Sequence, residues 1–116
     1  GGLQPNFHPE DIKGCVNALT KNEVNANIMI DFSHGNSQKN HENQKKVCAS
    51  VCQQISEGDK NIIGVMIESH LKEGAQKISD NLEYGKSITD ACVHWDETKT
   101  LLNDLATSVK ARRNVG

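Results

Sequence analysis

Two short runs close on the same chemistry, Met29-Ile30-Asp31-Phe32-Ser33-His34 and Met66-Ile67-Glu68-Ser69-His70. Each leads from apolar residues into an acid followed by Ser-His. In parallel α/β folds, reacting side chains gather beyond the C-terminal ends of strands, so two runs ending this way suit neighbouring parts of one rim. His34 and Glu68 are the strand-end donors, and Asp90, late in a polar stretch that returns across that side, is the third. One imidazole and two carboxylates suit a divalent transition metal such as Mn, Fe, Co or Zn, and leave coordination positions for substrate. For any one of them alone, the alternative is a hydrogen-bonded polar group at a strand end.

Asp31 and Ser33 beside His34, and Ser69 and His70 beside Glu68, are placed to orient such ligands; Asp31 could instead only cap nearby backbone. Gly85-Lys86-Ser87 lacks the earlier glycine of a phosphate-binding loop, because position 80 is Asp80. Lys86 either meets an anion or is simply solvated. No Gly-x-Ser-x-Gly elbow supports a serine hydrolase. Cys48 and Cys52 have the i, i+4 spacing of two donors on a helix, but they fit a plain core stripe better. Cys15, Cys48, Cys52 and Cys92 are expected to be free thiols, mostly buried.

The elements that must position these residues follow from periodicity. Ile12, Cys15, Val16 and Leu19 mark one face of a helix over 9–21, with Pro9 in its first turn and Glu10 and Asp11 at the positive end of its dipole. Residues 25–32 read as a short buried strand and 33–40 as a loop. Val47, Cys48, Val51, Cys52 and Ile55 define a helix over 41–57, stopped by Gly58-Asp59. Ile62 to Ile67 reads as a second buried strand, apolar on both faces. Residues 71–89 read as a long loop, of the kind that often carries function. A third helix follows, with Asp96 as its cap and Leu101, Leu102, Leu105, Ala106 and Val109 on its apolar face. The order is that of βα repeats without their beginning.

With 116 residues and 35% hydrophobic composition the chain can form one small domain. Phe7, Phe32, Tyr84 and Trp95 are its only aromatic residues, so the core must be mostly aliphatic. A net charge of -2 with mixed signs provides no basic stripe for a nucleic-acid backbone. No apolar run approaches the roughly 18 to 20 residues that would span a bilayer, and no signal segment is visible, so a cytoplasmic protein is expected. The chain opens Gly1-Gly2, and its only methionines, Met29 and Met66, lie inside strand-like runs. A piece cut from a longer chain, or a processed or tagged one, is expected.

Taken in order, Gly1-Gly2-Leu3-Gln4-Pro5-Asn6-Phe7, Met29 to Ser37, Gly64 to Leu71 and Tyr84-Gly85-Lys86-Ser87-Ile88-Thr89-Asp90-Ala91-Cys92 closely resemble class I 3-deoxy-D-arabino-heptulosonate 7-phosphate (DAHP) synthase. The resemblance covers essentially the whole chain. It implies an α/β fold made of the C-terminal βα units of a (β/α)8 TIM barrel, incomplete in this chain, with residues 1–116 a C-terminal fragment of one barrel domain. It also implies condensation of phosphoenolpyruvate with erythrose 4-phosphate, releasing phosphate, at the entry to the shikimate route. In that family a cysteine, a histidine, a glutamate and an aspartate hold the metal. Motif for motif, the last three are His34, Glu68 and Asp90, with His34 also the catalytic assignment.

The family's metal cysteine and the basic residues that grip both phosphates lie on earlier strands, without counterparts here. An isolated chain is therefore expected to be inactive, and to aggregate or require its missing N-terminal segment, since open strand edges seek pairing. The complete enzyme is expected to be a homo-oligomer. Two other readings stand beside this one. One is a noncatalytic metal-binding or interaction module derived from the barrel; the other is the related synthase that uses arabinose 5-phosphate.

Overall fold

A computed structural model describes residues 4–115; Gly1-Gly2-Leu3 of the first motif lies outside them. Its element order is α1 (Pro9–Lys21), β1 (Ile28–Asp31), α2 (His34–Ser37), α3 (Asn43–Ser56), β2 (Ile62–Met66) and α4 (Trp95–Val115). In α1, proline occupies the first turn, where its missing N–H is no loss, and the His8 N–H donates to Asp11 Oδ2 at 3.3 Å. The helix ends at Asn22, whose N–H reaches the Ala18 and Leu19 carbonyls.

β1 and β2 pair in parallel, with Ile30 opposite Val65 and Asp31 opposite Met66. Two further bonds, Ile28 N–H to the Asn61 carbonyl and Phe32 N–H to the Met66 carbonyl, lengthen the pairing at both ends. Both strands were expected to be buried, the second on both faces, but only one face is: Ile28, Ile30 and Ile62 are buried, whereas Met29 and Ile63 are 64% and 63% exposed. Successive strand side chains point to opposite faces, and among the described residues the helical layer covers only one of them.

The core lies between that covered face and α3. Val47, Cys48, Val51 and Ile55 pack there with Phe7, Ile12, Ile28, Ile30, Phe32 and Ile62, joined from the last helix by Leu101. Each such aliphatic side chain contributes roughly 1.5 to 3 kcal/mol by leaving water. α4 lies along α3 through Thr98, Leu101, Leu105 and Ser108. Leu102 and Ala106, expected on the apolar face, are exposed instead, because the packed stripe of α4 runs one position away from them. Cys15 is likewise exposed, since α1 presses only its Ile12, Val16 and Leu19 side into the core.

Asp96 does not cap α4. The helix starts one residue earlier, and His94 Nδ1 accepts the Glu97 N–H at 3.1 Å in that role. At the other end, Arg112 donates to the Asp59 and Ile62 carbonyls, both at 2.8 Å, which ties α4 to the entry of β2.

Residues 67–94 form no helix or named strand, as expected for the long loop, yet backbone bonds stitch it together. Lys72 N–H meets the Gly85 carbonyl at 2.8 Å, Gln76 N–H the Ser87 carbonyl at 2.7 Å, and Gly74 and Cys92 exchange both bonds. Gly85 has φ 82°, and a Cβ there would lie 3.1 Å from Leu71 Cβ, so the turn requires glycine. The loop then lays Val93 beside Ser69 in parallel, extending the sheet by one bridge.

Candidate metal centre

His34 follows β1 immediately, and the chain there makes one helical turn, α2, where only a loop was expected. Gly35, Asn36 and Ser37 are poor helix formers, and the turn is held by specific bonds rather than propensity. Asp31 is central to it. Its Oδ1 accepts the Ser33 N–H at 2.7 Å, its backbone carbonyl accepts Asn36 Nδ2 at 2.8 Å, and its Oδ2 lies 2.8 Å from His34 Nδ1. His34 itself has φ 48°, a left-handed conformation that side-chain-bearing residues rarely occupy.

The imidazole's other nitrogen meets two carboxylates. His34 Nε2 is 3.1 Å from Asp90 Oδ2 and 3.4 Å from Glu68 Oε1. The three side chains come from the end of β1, the segment after β2 and the end of the long loop. One donor atom from each lies within 4.8 Å of the others. A cation held by nitrogen and oxygen at about 2.0 to 2.2 Å separates its own ligands by roughly 3 to 4 Å, so this donor set needs little adjustment to fit one. Hydrogen bonds that its ring donates to Asp31 and then Asp90 raise the His34 pKa above its ordinary value, against the smaller opposing effect of burial. The side chains of His34, Glu68 and Asp90 remain 39%, 30% and 49% exposed, which leaves a side of the cluster open to another molecule.

The flanking residues divide. Ser33 contributes through its backbone, its N–H donating to Asp31 and its carbonyl accepting the Asn36 N–H at 3.1 Å. The Ser69 hydroxyl turns away to Thr98, and His70 is exposed, its Nδ1 accepting the neighbouring Leu71 N–H. Two contributors were not anticipated. Cys92 is buried, with Sγ 3.8 Å from Glu68 Oε2 and 3.4 Å from the Asp90 carbonyl. Burial, together with the Glu68 and Asp90 charges, pushes its thiol up despite a hydrogen bond with Ser87, so it stands beside Glu68 as a neutral donor. Gln44 is fully buried and bonds the Glu68 backbone through both ends of its amide. Its signal was present: a polar residue at a stripe position, one turn before Val47 and Cys48.

His41, Glu42 and Glu73 form a second group of close donors, with Nε2 of His41 3.2 Å from Glu73 Oε2, on the exposed outer side of the loop. Cys48 and Cys52 approach at 3.7 Å between sulfurs within the helical stripe.

These features define a mixed α/β chain in which a histidine and a glutamate that follow two parallel strands meet an aspartate from the long loop at one point beyond the strands' C-terminal ends. The chain belongs to the DAHP synthetase I family, whose model matches residues 1–103. It is 52% identical over 115 residues to the Phe-sensitive phospho-2-dehydro-3-deoxyheptonate aldolase of Escherichia coli K12, covering 97% of this chain and 33% of that protein. The tyrosine-inhibited enzyme of that name from Schizosaccharomyces pombe is 50% identical over 119 residues, covering 97% and 32%. The solved phospho-2-dehydro-3-deoxyheptonate aldolase of Francisella tularensis SCHU S4 superposes with a TM-score of 0.92 at 45% identity, over 97% of this chain and 33% of that one. The chain thus spans about a third of the length of the relatives it matches.

Proposed function

We propose that this chain supplies three metal ligands, His34, Glu68 and Asp90, to a DAHP synthase. In this reading it forms the C-terminal βα units of a (β/α)8 barrel, as part of one barrel domain. The observation that carries the proposal is the convergence of those side chains from three separate segments, within 4.8 Å, in a chain matched by the family over residues 1–103. The reaction joins the methylene carbon (C3) of phosphoenolpyruvate to the aldehyde carbon of erythrose 4-phosphate; water adds at C2, the carbon that bears the phosphate, and phosphate leaves from it. A bound divalent cation, Mn, Fe, Co or Zn, supplies Lewis acidity toward the aldehyde oxygen.

The residues present have distinct tasks in that reaction. Asp31 accepts from Nδ1–H of the neutral imidazole, which fixes the tautomer and turns the lone pair of Nε2 toward the cluster. Glu68 and Asp90 bring negative charge that favours a cation there. Relatives of similar identity are described as Phe-sensitive, tyrosine-inhibited and Trp-sensitive, so likeness in this segment follows the shared reaction rather than the effector. We assign the complete enzyme to the cytoplasm, as a homo-oligomer acting on small phosphorylated substrates rather than on nucleic acid. Among the described residues no helix is long and apolar enough to cross a membrane.

The test measures phosphoenolpyruvate consumption with erythrose 4-phosphate and Mn. It compares this chain alone with the chain co-expressed with the N-terminal two thirds of the E. coli Phe-sensitive relative. Activity confined to the combined sample, and lost in His34→Ala and Glu68→Ala, is the expected result. Activity that survives both substitutions would overturn the ligand assignment.

A further inference from the structure

Gln44 lies in the first full turn of α3, on the stripe that continues through Val47, Cys48 and Val51, and none of its surface reaches solvent. A leucine would fill such a position with less cost, because a buried amide is penalised unless every polar atom is paired. Both polar atoms are paired, and with the same residue. Gln44 Oε1 accepts the Glu68 N–H at 3.0 Å, and Gln44 Nε2 donates to the Glu68 carbonyl at 3.0 Å.

That exchange is what a neighbouring strand offers to one residue of an antiparallel ladder. β2 has already ended at Met66, so the side-chain amide takes over where the strand no longer fixes the backbone. On the other side, the Val93 N–H donates to the same Glu68 carbonyl at 3.0 Å. The peptide groups of Glu68 are therefore gripped from α3 and from the end of the long loop, while its carboxylate lies 3.4 Å from His34 Nε2.

We infer that Gln44 is a positioning residue for the metal centre: by clamping the backbone of Glu68 it holds that carboxylate in place with His34 and Asp90 before a cation arrives. This rests on the metal-site reading above. Partners that orient ligands from behind typically change metal affinity by about 10- to 100-fold when removed, and that is the range expected here. Loss of the clamp leaves the Glu68 backbone held by the Val93 N–H alone, so more of the ordering of the carboxylate falls at the moment of binding.

The experiment titrates the full chain with Mn, following free Mn by its electron paramagnetic resonance signal, in wild type, Gln44→Leu, Gln44→Glu and Glu68→Ala. Circular dichroism checks the folding of each. Gln44→Leu should weaken Mn binding by about 10- to 100-fold with helix content retained. Gln44→Glu, whose buried carboxyl stays protonated and so keeps one acceptor and one donor, should recover most of the loss.

Gln44→Leu binding within twofold of wild type, while Glu68→Ala abolishes binding, would overturn the clamp and leave the metal site standing. Equal binding in wild type and Glu68→Ala would overturn the metal site and the clamp with it. Amide hydrogen exchange in the wild type needs no variant: Glu68 should be protected as strongly as Phe32, and an unprotected Glu68 amide would end the proposal even if Gln44→Leu failed to fold.

Discussion

Asp31 and His34 are three positions apart and face one another across 2.8 Å, carboxylate Oδ2 to imidazole Nδ1, at the point where β1 ends. Because the same carboxylate also takes the Ser33 N–H, the imidazole is fixed to the backbone turn that carries it. The largest cause of the raised His34 pKa is this bond. In Asp31→Asn, measured without metal, the His34 ring protons should titrate at lower pH than in wild type, by nuclear magnetic resonance. A folded-state pKa above the unfolded one adds stability that is complete below about pH 6.5 and fades as pH rises through the raised value. The variant should therefore lose more stability near pH 5.5 than near pH 8.5; an equal loss at both would show that Asp31 acts through something other than the imidazole's charge.

The four thiols should separate by burial. Cys15 is exposed, whereas Cys48 and Cys92 are buried. Burial, then the neighbouring Cys52, pushes the Cys48 thiol far up. Iodoacetamide under native conditions should label Cys15 first, as read by mass spectrometry, and Cys48 only on unfolding. A thiol kept protonated by the fold contributes stability that is complete below the unfolded value of about 8.5 and is lost as pH rises beyond it. The urea midpoint should fall between about pH 8 and 10, and Cys48→Val should flatten that fall. Unchanged slope in the variant would assign the alkaline loss elsewhere.

How much of this could be read from the chain depends on which physical signal each residue carried. The stripe Val47, Cys48, Val51 and Ile55 announced α3 because one face is buried along its whole length. His34 and Glu68 were legible as strand-end residues. Asp90 needed the path of the loop, which the Gly74–Cys92 pairing turns back toward Val93, and no local periodicity encodes that return. Met29 and Ile63 read as buried because hydrophobicity does not say which sheet face is covered. Leu102 and Ala106 failed for the corresponding reason on a helix. Gln44 is silent in the apolar pattern of α3, because its information lies in a polar residue occupying an apolar slot.

Arg112 provides a test of how α4 is anchored. One guanidinium nitrogen donates to two carbonyls, that of Asp59 in the loop before β2 and that of Ile62 at the strand's first residue. Hydrogen bonds from a charged donor contribute about 1.5 to 3 kcal/mol each, with shared donors at the low end. Arg112→Met, which keeps the stem and removes both bonds, should lower the unfolding free energy by about 3 kcal/mol in urea titration. A loss below about 0.5 kcal/mol, the size of an ordinary surface substitution, would mean that the core contacts of Leu101 and Leu105 hold α4 unaided.

Phe32 joins the core to the site. Its side chain is fully buried, its N–H donates to the Met66 carbonyl, and Ser33 and His34 follow it directly. Phe32→Ala should cost about 3 to 5 kcal/mol, a large share of the roughly 5 to 15 kcal/mol that stabilises a typical domain. Thermal unfolding should shift accordingly, and Mn binding should weaken as the turn at Asp31 loosens. Weakened Mn binding with no loss of stability would place the effect in the turn alone.

Lys72 and Glu83 bridge the two sides of the long loop at 3.2 Å, but both side chains are about half exposed, at 54% and 51%. Exposed pairs contribute little, about 0.2 to 1 kcal/mol, because water and salt screen them and two long side chains must be ordered. The backbone bonds between Lys72 and Gly85 and between Gln76 and Ser87 face no such loss, since the groups they pair would otherwise be stranded as the loop closes. Lys72→Ala should therefore leave the loop's amide exchange and the stability within about 0.5 kcal/mol of wild type. Gly85→Ala, forced into φ 82° with its Cβ against Leu71, should accelerate exchange at Lys72 and Gln76. If the order were reversed, with Lys72→Ala the more damaging, the loop that delivers Asp90 would be held by charge, and its order would fall with added salt.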